Sequence, residues 1–558
     1  MKDSFKDLVE KMDAKDTTHQ WDVLVSYDED KVNELLQANP ISIVENFPVF
    51  TGSALAENDD DEMEERKYEF ELKLMSSRVQ FQSPYGLARV IGDLRGTYKQ
   101  VAPRSREAKP VPDGYQLAID VDLFNVAGTL GNKIPKSSPS KLERVRINYV
   151  VGLGEDPDAT RNICLSFQNA KGTILGGPSD KKEKLTAAVS EALRDGLETA
   201  LRRDIKDHFI TGVTRRVNDP SLIVLQPTSF CFSVIPRDEP NNVPGTLLMW
   251  IGVRGGPENG KKPSGQTILS FEPDGKAACP IPESCSASII FSHDLIARAF
   301  FAPNLANAFD DLKVTSTKGV AGMTFTGKLK SEGVEIERFT DQLSTYGGWT
   351  ICHCDGLRFS TDTPATDITV KSGIVTSSED AVLVSYTSKP QTANWMSNTT
   401  LYPLPPEPPK ITVTRGAVDL TFSWKSRGKW ECENDTHPNL LQLKFTDDPK
   451  WVVKYKGEEP NWWQNLLGIG GTVPEHYTRL EVPAPKVNLE MKALEYFLTT
   501  NLLFPGKHVF HAHPLTVENK DKKGLAVPRD LILTGDIKMA ASILGTLLNG
   551  MMGQVRLR

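Results

Sequence analysis

The sequence predicts an α+β fold in which antiparallel β-sheet packs against a few long helices. Three observations predict it. Short runs of alternating apolar and polar residues recur along the 558 residues, the period of strands with one face on a core. One segment, 183–211, holds apolar residues at i, i+3, i+4 and i+7, the stripe of an amphipathic helix. No self-similarity at a period of about 20 to 50 residues points to a solenoid or propeller.

The first 16 residues, MKDSFKDLVEKMDAKD, are charged throughout and read as a polar tail. Trp21, Val23, Val25 and Tyr27 then alternate with Asp22 and Ser26, although Leu24 interrupts the polar face, so a strand is expected. Asp28, Glu29 and Asp30 stand where a helix N-terminus favours negative charge, ahead of a stripe formed by Val32, Leu35 and Leu36. Further amphipathic strands are expected at 68–74, 115–123, 145–151, 163–167, 222–225, 230–235 and 247–253. One face of that sheet should be wet.

The long helix carries Leu185, Ala188, Val189, Ala192, Leu193, Leu197, Ala200, Leu201, Ile205 and Phe209 on one side, with Gly212 as its stop. At 1.5 Å per residue it should span about 40 Å. Glu191, Arg194, Glu198, Arg202 and Lys206 occupy the opposite side, where Glu198 and Arg202 can pair at i, i+4. Ser292 can cap a second helix that Pro303 should kink or split. A third, 488–504, carries Leu489, Leu494, Leu498 and Leu502 before Pro505 and Gly506 end it. ENDDDEMEE at 57–65 reads as a surface loop and PLPPEPP at 403–409 as a stiff connector. The expected organisation is a tail over 1–16, a body over 17–305 around the long helix, and a β-rich part over 306–558 ending in an apolar helix.

A hydrophobic content of 39% over this length allows large cores, and a net charge of −7 gives no general attraction to nucleic acid. The first 16 residues lack the apolar run of a signal peptide, and no run of 18 uncharged apolar residues occurs. A soluble, cytoplasmic chain is expected, with export lacking a leader as the alternative. Seven thinly scattered cysteines read as reduced core residues.

Three segments carry a resemblance. WDVLVSYDEDKVNELL (21–36), CSASIIFSHDLIARAFFAPNL (285–305) and PRDLILTGDI (528–537) resemble, in similar order, segments of the clostridial P47 and OrfX proteins. The resemblance implies a TULIP-like (tubular lipid-binding) architecture: an elongated molecule of highly curved antiparallel sheet wrapped around long helices, with an apolar seam. It also implies binding of lipids such as phosphoinositides and a role as toxin accessory, with proteins encoded nearby as partners. It supplies no catalytic residues. The acidic stretch at 57 and the connector at 403 depart from it.

The candidate lipid-lining residues are Val189, Leu193, Leu197, Leu201, Ile205 and Phe209. The alternative for the same stripe is a dry core, since protein interiors close-pack. Trp462 and Trp463 are candidates for a membrane or partner contact, as are Leu547 and Met551 within the apolar run DIKMAASILGTLLNGMMGQ; the alternative for each is burial in the protein's own core. VVGLGEDPD at 150–158 begins like a dinucleotide loop, but Pro157 occupies the third glycine position. His508, His511 and His513, and separately Cys352 and Cys354, have spacings that could place two metal ligands on one strand face, without evident partners to complete a site. No GxSxG, HExxH or P-loop appears. The expectation is a non-enzymatic binder of lipid or another hydrophobic molecule, with no cofactor and no metal. A closed structural subunit and a metal enzyme using His511 and His513 are the alternatives.

Overall fold

The computed structural model describes residues 2–37, 49–56, 66–82, 87–102, 104–122, 127–131, 146–150, 160–166, 171–178, 184–204, 207–214, 221–238, 240–256, 269–316, 322–330, 335–345, 348–354, 357–358, 367–372, 382–401, 407–432, 439–445, 452–457, 489–501, 509–513 and 524–538. The chain forms two compact units, one of 1–295, 432–441 and 493–558 and one of 296–431 and 442–492. It begins with α1 (Phe5–Met12), β1 (Val23–Asp28), α2 (Glu29–Gln37), β2 (Phe50–Ala56), β3 (Arg66–Gln82), β4 (Leu87–Ala102), β5 (Lys109–Pro110) and β6 (Tyr115–Asp122). Then come β7 (Ala127–Gly131), β8 (Arg146–Val150), β9 (Thr160–Ser166), β10 (Lys171–Gly176), α3 (Ala187–Asp204), β11 (Asp207–Thr214), β12 (Leu222–Val224), β13 (Pro227–Ile235), β14 (Thr246–Val253) and β15 (Ala287–Phe291). A helical run follows as α4 (His293–Leu295), a π-helical stretch (Ile296–Phe301) and α5 (Ala302–Leu305). Pro303 supplies no N–H to the turn before it, which suits the change of helical register by which the run is divided there.

In the first unit one sheet runs β11-β9-β8-β7-β13-β14-β1-β15 and then through two late strands, 531–537 and 510–512. Its opening strand is therefore central: Val23 lies opposite Ile251 of β14 and Phe291 of β15. Every residue of β1, β14 and β15 is buried, so the wet face expected of β1 and β14 is covered. On one side Trp21, Leu24, Leu248, Trp250, Ile290 and Ile532 meet Phe5, Leu8, Val9 and Met12 of α1. The stretch expected to be a polar tail is thus a capped helix, with the Ser4 hydroxyl accepting from Asp7 N at 3.2 Å. Its four apolar residues keep helical spacing among the charges, and burying each contributes about 1.5–3 kcal/mol. On the other side Tyr27 donates to the Thr500 carbonyl, and Phe291 meets the Tyr496 ring edge-on at 5.8 Å.

The acidic turn after β1 does more than face solvent at a helix start. Asp28 accepts from Asp30 N at 3.0 Å and pairs with Lys2 at 2.8 Å. Glu29 is buried and accepts from Phe81 N and from Arg237 Nε, both at 2.8 Å, so it ties α2 to β3 and to the end of β13. Burial raises its carboxyl above the ordinary range, against the pull of those donors.

A second open sheet runs β10-β6-β4-β3-β2, with β5 on β4. The long β3–β4 hairpin changes register between Met75 and Arg78, and Ser76 there has φ 50°. Gly96 lies opposite Leu72 at φ 136°, where a Cβ would meet the Glu71 carbonyl, so only glycine fits.

The second unit is almost all β. Its strands are β16 (Phe309–Ser316), β17 (Met323–Leu329), β18 (Glu335–Ile336), β19 (Phe339–Thr345), β20 (Gly348–Cys354), β21 (Leu357–Arg358), β22 (Asp367–Ser372), β23 (Val382–Thr387), β24 (Gln391–Leu401) and β25 (Lys410–Cys432), with β27 (Val452–Gly457) beyond β26 (Leu440–Phe445). β24 pairs with the first half of the long β25 and β23 with its second half. Inside, Trp424, Phe309 and Tyr386 all touch one another, with ring centroids 5.9 to 6.2 Å apart, and Trp430 packs on Phe300 at 5.3 Å.

The last elements return to the first unit as β28 (Ala493–Glu495), α6 (Phe497–Thr500), β29 (Phe510–Ala512), β30 (Leu525–Ala526) and β31 (Leu531–Ile537). The helix expected over 488–504 is therefore corrected to one strand and a four-residue helix. Leu494 pairs as a strand residue with Leu441, so tertiary pairing overrides its helical spacing.

Candidate functional site

α3 lies on the second sheet of the first unit. Leu185, Val189, Ala192, Leu193, Leu197 and Ala200 are buried, and Glu191, Asp195 and Thr199 face solvent. The Tyr115 hydroxyl of β6 accepts from Leu185 N at 2.8 Å ahead of the helix. Glu198, expected to pair with Arg202, accepts from Gly172 N of β10 at 2.9 Å and so pins the helix to that edge strand. The helix packs chiefly on the two edge strands, β2 and β10.

The candidate lining is only partly one surface. Val189, Leu193 and Leu197 share the buried face, and Leu201 lies in the last turn of α3. Ile205 is outside the described residues. Phe209 is on β11, opposite Cys164 of β9, which corrects the expected helix end at 211. The run HFITGVT also has strand period, and an available partner strand decides the matter.

Trp462, Trp463, Leu547, Met551 and His508 lie outside the described residues, as do 151–159 of the glycine-rich stretch. Cys352 and Cys354 fall on β20, where His353 between them meets the Thr340 hydroxyl at 3.1 Å. His511 is on β29 and His513 just beyond it, but His513 is engaged by the Asp536 carboxylate at 2.8 Å. Among the described residues no three His, Cys, Asp or Glu side chains gather to hold a metal.

A polar site that the sequence reading did not single out lies where three distant segments meet. Asp16, Thr18, Gln20, Asp22, Ser292, His293, Asp294, Arg529 and Asp530 line a cavity of about 30 Å³, room for one or two waters. Asp530 accepts from Thr17 N at 2.8 Å, the Thr17 hydroxyl at 2.7 Å and His293 N at 2.9 Å. Burial nevertheless pushes its carboxyl up to about 6. His293 Nδ1 meets the Arg529 carbonyl at 3.0 Å, so Nδ1 donates and Nε2 is left as an acceptor, with no protein partner among the described residues. Burial lowers the pKa of this histidine and keeps it neutral. The sequence signal was present but unread: Asp22, His293 and Asp530 each lie within one of the three segments that resemble P47 and OrfX, and β1, β15 and β31 in those segments are neighbours in one sheet.

No family model matches the chain, and no curated protein matches it in sequence. Among solved structures the chain is similar to P47 from Clostridium botulinum A2, at 11% identity and a TM-score of 0.44, over 94% of this chain and 100% of that one. It is also similar to P47 of Clostridium botulinum E1, at 10% identity and a TM-score of 0.43, over 93% and 100%. A lipopolysaccharide binding protein aligns at 9% identity and a TM-score of 0.24, over 93% and 99%.

Proposed function

We propose that the first unit binds a lipid or similar hydrophobic molecule along α3, without catalysis of its own. One observation carries the reading: the 18-residue helix packs chiefly on the two edge strands of one open sheet. A helix crossing a flat sheet would rest mainly on the middle strands, so contact at both edges favours a sheet curled about α3. That is the sheathed arrangement the sequence resemblance implies. Val189, Leu193 and Leu197 would then line the inner wall. A membrane surface is the natural source of such a ligand, and nucleic acid is not a partner in this reading.

A second reading is a subunit with a dry core that binds other proteins. The complete burial of Leu193 and Leu197 favours it, since neither leaves surface for an acyl chain. Native mass spectrometry and lipid extraction of the purified full chain separate the two. Copurifying lipid, displaced by Leu193→Trp in a protein with unchanged circular dichroism, is the expected result. Absence of lipid, together with no uptake of fluorescent fatty acid and no binding to phosphoinositide vesicles, would leave the dry core.

A further inference from the structure

A thiol, an imidazole and a carboxylate stand in line in the first unit, where the turn before β15 meets the strands near the C-terminus. Cys285 Sγ is 3.7 Å from His513 Nδ1, and His513 Nε2 is 2.8 Å from Asp536 Oδ2. The carboxylate is itself held, because Asp536 Oδ1 accepts from the Ser286 backbone N and hydroxyl, both at 3.2 Å. A carboxylate only accepts, so Nε2 carries the ring proton and Nδ1 of the neutral ring is an acceptor facing the thiol. Ser284, immediately before the cysteine, has φ 62°, a left-handed conformation uncommon outside glycine and frequent at functional turns. Lys2 approaches the Cys285 carbonyl at 3.3 Å and pairs with Asp28, Lys31 feels both Asp28 and Asp536, and His511 stands opposite Asp536 in register.

We propose that Cys285 is a nucleophilic thiol, activated by His513 and oriented through Asp536, that is modified by small disulfides. His513 takes the S–H proton, and the Asp536 carboxylate steadies the imidazolium that forms. The thiolate attacks one sulfur of the disulfide. A new S–S bond forms to Cys285, the old one breaks, and the leaving thiolate takes the proton back from His513. Burial sets the size of the reagent: Cys285 and His513 are only 6% and 8% exposed, which admits a small molecule and not a folded partner. This modification site is independent of lipid binding along α3.

The test is reaction of the full chain with cystamine, read by peptide mass spectrometry across pH. Cys279 and Cys432 are internal controls, since burial pushes both thiols up, Cys432 to about 12. At pH 7 Cys285 is expected to react at least about tenfold faster than either, with its rate holding below the ordinary thiol value of about 8.5. Asp536→Asn keeps an acceptor for Ser286 but turns an amide N–H on Nε2, which forces the other ring tautomer and removes the acceptor from the thiol. In that variant the Cys285 rate should fall to the control level. A wild-type rate no higher than the controls, a profile that rises only near the ordinary thiol value, or a rate that a folded Asp536→Asn leaves unchanged overturns the proposal. Should that variant fail to fold, the wild-type profile decides alone.

Discussion

Asp530 shows how much a single side chain joins. It binds Thr17 and His293 N, so one carboxylate holds the chain before β1, the start of α4 and the start of β31. Because the folded carboxyl keeps its proton up to about pH 6 and the unfolded one releases it near about 3.9, protonation favours the fold. Stability from this group is complete below the unfolded value and is lost as pH rises through about 6. His293 works in the opposite sense: burial lowers its pKa, so its contribution is present above the unfolded value of about 6.5 and is lost on acidification. The two partly cancel in the wild type. Asp530→Asn leaves only the histidine limb and sets an amide N–H against His293 N–H, a mismatch worth about 1–3 kcal/mol. Urea titrations from pH 7 to pH 4.5 should show a variant that is weaker at pH 7 and loses stability more steeply than the wild type on acidification. Parallel pH curves for the two proteins would contradict this account.

Elements were legible wherever local period and tertiary demand agree. α3 was legible from its stripe, and β3 and β6 from alternation, because each buries the face its sequence offers, while β9, β13 and β14 were legible as strands. Where two periods fit one stretch, long-range pairing decided. Phe209 and Leu494 both satisfied helical spacing, and both became strand residues because a partner strand was available. α1 was obscured by its charges, since Phe5, Leu8, Val9 and Met12 alternate with an outer face that is all charged and lie among further charges on either side. The burial of the α3 stripe makes its own prediction. Leu197 is fully buried, so Leu197→Ala should cost about 2–5 kcal/mol, whereas Thr199→Ala on the exposed face should stay within about 0.5 kcal/mol. Chemical denaturation of both variants checks it, and equal midpoints would place the helix away from the core.

At the scale of the whole chain the fold rests on contacts that no local pattern announces. The segments at 21–36, 285–305 and 528–537 were recognisable one at a time, yet their burial on both faces follows only from their meeting as β1, β15 and β31. The same closure brings together Thr17 with Asp530 and Cys285 with Asp536's histidine partner, which is why neither polar site could be assembled from spacing. It also makes the first unit depend on its last strands. β15 is paired on one side by β1 and on the other by β31, with Ile289 opposite Leu533 and Ile290 opposite Ile532. A chain ending at residue 522 would leave Ile289, Ile290 and Phe291 on an unpaired edge, uncover Leu24 and Trp250 beside them, and take the acceptor from Thr17. An exposed apolar edge of that kind templates association with other chains. Expression of the truncated chain should therefore give aggregate, whereas a soluble monomer with the near-ultraviolet spectrum of the full protein would mean that β31 closes a core already complete without it.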